Sequence, residues 1–227
     1  MFGLDHGIAS LSDGTTLAVV ATVAVLLGLR HASDPDHVAA VSTLVASGKD
    51  RAKGSAAKLG FVWGLGHATS LFVFGLPLVL YSAYLPEPVQ QAAETTVGIL
   101  IIALAMLLLA RWRRGVYSEG GQHRHPTRSR WQAYGIGLVH GMGGTAGVGL
   151  LLLASIRSHA LAVAALALFA FFTAVSMALL STGWGVALGS APVRRSFHRI
   201  APALGLASLL FGVWYALGAQ GVVPYML

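Results

Sequence analysis

Apolar residues run along this chain in blocks far longer than any amphipathic period, and short polar stretches divide them. Residues 59–86 carry no formal charge, and neither do residues 158–193. A helix needs roughly 20 consecutive apolar residues to cross a bilayer. On that measure six segments are predicted to span: 16–46 (long and interrupted), 58–84, 92–112, 132–155, 160–189 and 200–220. Turn and breaker residues fall between them, namely Gly48, Gly54, Pro86, Pro88, Gly120, Gly121, Pro126 and Pro192. The expected fold is an all-α polytopic membrane protein forming a single transmembrane domain over residues 1–227.

Three echoes suggest that the spans come in two sets. GLRH at 28–31 recurs as GLVH at 137–140. FVWGLGHATSLFVFG at 61–75 is echoed by FAFFTAVSMALLSTG at 169–183, and Gly98 by Gly205. The offsets stay within 107–109. Three spans per half is an odd number, so the second copy enters upside down. The expectation is therefore two inverted three-helix repeats, about 15–112 and 131–220, joined by a basic loop at 113–130. Secondary transporters use this architecture, with the ion site near the repeat interface.

Composition supports the membrane reading. Of the 227 residues 56% are hydrophobic and 10% charged, too little polar surface to cover a soluble domain. The net charge of +7 resolves by position. The loops at 47–58, 111–131 and 190–199 hold 13 of the 15 Lys and Arg residues, and six passes put all three on one side. The positive-inside rule makes that side cytoplasmic and leaves both termini outside, in the cell membrane. The charge thus points to lipid rather than to nucleic acid. Cysteine is absent, which excludes disulfides and thiolate metal ligands. The N-terminus lacks the basic start of a cleavable signal, so the first helix is expected to remain.

Against this background LGLRHASDPDH is conspicuous. Arg30, Asp34 and Asp36 would together cost about 8–10 kcal/mol unpaired inside a bilayer. From Thr16, His31 is reached after about 22 Å of helix, within a core of roughly 30 Å. Pro35 cannot donate to the His31 carbonyl, and its ring clashes there, so a break is expected with that carbonyl left free. Asp34 would cap the next helix, with Pro35 at its first position. The break also decides the chemistry. On one straight helix Asp36 and His37 would lie about 140° and 240° around from His31, whereas a break lets all three face one point. Two imidazoles and a carboxylate suit nickel, cobalt, copper or zinc better than magnesium or calcium.

His67 in GLGHATS and His140 in LVHGMGG lie at comparable depth and are candidates for the same site. Arg30 and Asp34 are equally readable as an i,i+4 pair. The Gly137/Gly141 and Gly143/Gly147 pairs read as close-packing positions. His123 and His125, in the basic loop, and Asp5 and His6 are weaker metal candidates. No HExxH, GxSxG or nucleotide-binding motif occurs, which favours a carrier over an enzyme. The alternatives are a redox protein with His67 and His140 as axial haem ligands, or a membrane metal donor for urease or hydrogenase maturation.

At these residues the sequence resembles the nickel/cobalt transporter family. Arg30, His31, the Ala-Ser-Asp-Pro stretch, Asp36 and His37 match its H-x4-D-H signature with the preceding arginine. Gly66, His67, Ala68 and Thr69, with Ser70 behind, match its Gly-His motif. Pro35 replaces a common alanine, HGMGGTAG stands where an acidic, Thr-rich motif is expected, and there is room for six spans rather than eight. The resemblance is therefore to the shorter, urease-accessory-type branch. It implies transported Ni(II) or Co(II) with no tightly bound cofactor, His31, Asp36, His37 and His67 as ligands, and metallochaperones or maturation proteins as partners.

Overall fold

A computed structural model describes residues 2–47, 53–81, 86–117, 129–143, 156 and 158–224. Side chains are described from Leu17 to Ala46 in the first stretch and from Ser55 in the second. Among these residues all regular structure is helical: α1 (Phe2–His31), α2 (Pro35–Ser47), α3 (Lys53–Tyr81), α4 (Glu87–Arg113), α5 (Arg130–His140), α6 (His159–Gly189), α7 (Ala191–Arg195) and α8 (Phe197–Ala219).

Four helical stretches are long and apolar enough to cross a membrane: Ser55–Tyr81 within α3, then α4, α6 and α8. The broken pair Leu17–His31 and Pro35–Ala46, bent by 51°, makes a fifth candidate when its two pieces are counted as one span. Of the expected sixth span, 132–155, only the start is described. α5 has 11 residues, about 16 Å of helix, too short to cross alone. Residues 144–155 lie outside the described residues.

The break falls where Pro35 predicts, with one correction. The His31 carbonyl is not free, since the Asp34 N–H donates to it at 3.1 Å, while the Ser33 N–H donates to Arg30 at 2.8 Å. Tight i→i−3 bonds close α1 and recover the acceptor that proline leaves unserved. α2 then starts on Pro35, its first bond running from the Val38 N–H to the Asp34 carbonyl at 3.0 Å.

α3 packs along α6 and α4 along α8, while α1 lies against α6 and α5 against α3. Both long pairs are antiparallel. A Cβ at Gly60 would meet Ser181 and one at Gly64 would meet Ala174. A Cβ at Gly98 would meet Ala216 at 2.8 Å and one at Gly205 would meet Leu109 at 2.7 Å. Two side-chain hydrogen bonds tie α6 to α1 and α3 to α5. Ser176 Oγ donates to the Leu29 carbonyl at 2.5 Å, and Ser70 Oγ to the Leu138 carbonyl at 2.6 Å.

α2 occupies the middle, touching α4, α6 and α8. Residues 40–46 are buried without interruption, a helix enclosed on every face. Large side chains such as Trp63, Phe169, Phe197 and Tyr215 fill the interior. Outward, Val23, Leu26, Phe61, Val73, Phe171, Leu179 and Leu210 stand exposed, an apolar exterior suited to lipid. Trp112 and Trp131 are exposed at the ends of α4 and α5 that flank the basic loop, where interfacial tryptophans belong.

Candidate metal centre

The last residue of α1, the first turn of α2, the middle of α3 and the last residue of α5 converge. They bring together His31, Asp36 with His37, His67 and His140, each at most 4% exposed. Ring centroids are 4.6 Å apart for His31 and His37, 4.8 Å for His37 and His67, and 4.5 Å for His37 and His140. His31 Nε2 lies 3.1 Å from His67 Nε2. Two groups, His31/His37/His67 and Asp36/His37/His140, have donor atoms within 4.8 Å of one another and could each hold a metal ion.

Glycine makes the approach of α5 to α3 possible. A Cβ on Gly66 would strike the Tyr134 carbonyl, and one on Gly137 the Trp63 carbonyl. Backbone therefore meets backbone, and His67 and His140 come to one level. The close-packing role expected of Gly137 and Gly141 is what these contacts describe.

Carboxylates orient both signature histidines. Asp34 Oδ2 lies 3.0 Å from His31 Nδ1, and Asp36 Oδ1 lies 3.0 Å from His37 Nδ1. An ionised carboxylate only accepts, so in each neutral ring the proton sits on Nδ1 and the lone pair on Nε2. This is the outer-shell arrangement that fixes metal-binding imidazoles. His37 Nε2, His67 Nδ1 and His140 Nδ1 are buried without a hydrogen-bond partner. His140 Nε2 lies 3.3 Å from Asp36 Oδ2, off the direction of a hydrogen bond. Each unserved buried polar atom costs about 1–3 kcal/mol, and several in one cluster need an explanation.

Arg30 and Asp34 stand apart from the cluster. The Arg30 side chain is 74% exposed and reaches Asp34 at 3.7 Å, so Asp34 serves His31 from outside. His123, His125 and the side chains of Asp5 and His6 lie outside the described residues. The rings of His37, His67 and His140 form a compact triangle, with the centroids of His67 and His140 5.9 Å apart.

Trp63, which packs on His140 at 5.5 Å between ring centroids, was not singled out from the sequence. Its signal was its position, one turn before His67 on the same face of α3. Ser176 gave no signal beyond its place in the echo of residues 61–75.

Residues 17–117, which include the broken span and His67, match the NicO family, high-affinity nickel-transport protein. Over these residues, a little under half of the chain, the likeness is to NicO. The chain is also similar to urease accessory protein UreH of Bacillus sp. (strain TB-90), 27% identical over 89% of this chain and 92% of that protein. Similarity extends to nickel transporter NicT of Mycobacterium tuberculosis (strain ATCC 25618 / H37Rv), 27% identical over 80% of this chain. The match covers 61% of NicT. No solved structure matches the chain significantly. The NicO match stops before His140.

Proposed function

We propose that this protein is a secondary carrier that moves a divalent transition metal, nickel and by donor chemistry also cobalt, across the cytoplasmic membrane. The observation that carries this reading is the pair of carboxylate-backed imidazoles at the break. His31 and His37 aim Nε2 lone pairs into a buried space shared with His67 and Asp36. A divalent ion there satisfies His37 Nε2, which otherwise has no hydrogen-bond partner. His31, Asp36, His37 and His67 are the assigned ligands, Asp34 orients His31, and His140 borders the same space. The relatives named as nickel transporter and urease accessory protein agree with this cargo. Delivery of nickel to a urease-maturation system fits the latter.

The two halves are read as inverted repeats. Adding 107 to Gly98 and Leu109 gives Gly205 and Ala216, so the Gly98–Ala216 and Gly205–Leu109 contacts are one contact seen from both sides. Reciprocal contacts of this kind are the mark of a two-fold relation. Leu29 and Leu138, each gripped by a serine, occupy equivalent places in GLRH and GLVH. Six spans then place the termini outside and the basic loops in the cytoplasm. Rocking of one half against the other alternates access. A dication entering down a 100 mV inside-negative potential gains about 4.6 kcal/mol, so uptake needs no ATP in principle.

Radiolabelled nickel and cobalt accumulation in cells expressing wild type, His31→Ala or His37→Ala tests the reading. Uptake by wild type alone is expected. Equal accumulation in all three and in cells lacking the protein refutes it, and reduced accumulation with wild type reverses the direction to export.

A further inference from the structure

We infer that the cluster is not one metal site but two overlapping positions that share His37, and that the cargo is handed from one to the other. The inference rests on the carrier reading and divides its ligand set, with Asp36 passing to a second position beside His140. The first position is His31, His37 and His67, from α1, α2 and α3. The second is Asp36, His37 and His140, from α2 and α5. His31 and His140 end the two helices of the GLxH pair, so each position takes one terminal histidine from a different half of the chain.

His37 makes the positions exclusive. A neutral imidazole has one ring nitrogen bearing hydrogen and one bearing a lone pair. Asp36 holds the His37 proton on Nδ1, so the single lone pair, on Nε2, completes only one trio at a time. The His37 ring stands 4.6 Å from that of His31 and 4.5 Å from that of His140, equally placed for both. The positions also differ in charge. The first offers three neutral nitrogens, and the second two nitrogens and a carboxylate, which compensates one unit of the ion's charge. A carrier needs sites that take up an ion and also let it go. Two incomplete cages joined by one shared ligand achieve this better than one closed cage.

The experiment uses purified full-length protein in nanodiscs and proteoliposomes, with nickel chloride as the probe. Wild type is expected to hold one Ni(II) per chain at saturation. His140→Ala is expected to bind one Ni(II) still, with imidazole ligation in X-ray absorption, while transport falls at least about tenfold. His67→Ala is expected to behave likewise through the other position, and only His37→Ala to lose binding. Two ions per chain in wild type overturns the inference without any variant. So does wild-type transport by His140→Ala, or loss of binding in His140→Gln and His67→Ala as complete as in His37→Ala, the result of a single site. Wild type that neither binds nor transports nickel would be different, because that removes the carrier reading itself.

Discussion

Gly141 offers a clean test of how tightly α5 must sit on α3. It is the residue after α5, at φ −71° and ψ −2°, a conformation open to any residue. Alanine there introduces bulk and no backbone strain. Its Cβ would lie 2.5 Å from the His67 carbonyl oxygen, 2.9 Å from His67 Cα and 3.0 Å from Ser70 Cβ. Ordinary contact begins near 3.5 Å, so the two backbones must part by about 1 Å. Two of the three obstacles are main-chain atoms, which cannot rotate away. Overpacking of this kind costs about 1–3 kcal/mol, and the separation falls between His67 and His140. Gly135→Ala is the control, being inside the same helix with nothing within 4 Å of its Cβ. That change should be neutral or stabilise by about 0.4–1 kcal/mol. Thermal unfolding of detergent-solubilised protein and nickel titration would read both. Gly141→Ala should lower the midpoint and weaken nickel binding by about 10-fold or more, and Gly135→Ala should do neither. If the two variants behave alike, the close approach of α3 and α5 is not what positions the cluster.

Asp34→Asn keeps the size of the side chain that backs His31 but removes its charge, and should weaken nickel binding by about 10–100-fold. Arg30→Ala, at an exposed pair, should cost at most about 1 kcal/mol of stability and leave binding unchanged. Ser70→Ala and Ser176→Ala each remove one hydrogen bond to a carbonyl and should each destabilise by about 0.5–1.5 kcal/mol in a melting experiment. Similar losses from the two are expected if they play equivalent parts. Nickel at about 100 times its dissociation constant should stabilise wild type by about 2.7 kcal/mol. His37→Ala should show no such shift.

Much of the site was legible because its signals were local. Charge inside an apolar block marked Arg30 to His37, and Pro35 marked the break that makes convergence possible. His67 announced itself as a polar residue at depth. The helical class followed from block length alone. What was not legible depends on which helix faces lie together. The capture of the His31 carbonyl by Asp34 required the shape of a tight turn that proline rules do not specify. His140 read equally well as packing or as function, because nothing near it in the chain shows that α5 reaches Asp36. Trp63 and Ser176 have no distinguishing neighbours at all. Their contacts join positions far apart in sequence, Ser176 to Leu29 and Trp63 to His140.

The enclosure of α2 has a consequence for how substitutions will be tolerated. Helices that border lipid have one permissive side, where any apolar residue serves, so their tolerance should rise and fall with the 3.6-residue turn. Along residues 40–46 no side is permissive. A saturation scan scored on nickel uptake should therefore be periodic along α4 and α8 but uniformly intolerant along α2. The two polar residues there, Ser42 and Thr43, turn their hydroxyls back to the Ala39 carbonyl at 3.1 Å and 2.9 Å. Change would thus be least accepted in the shorter second piece of the broken helix, and not in the long helices whose outer faces stand exposed.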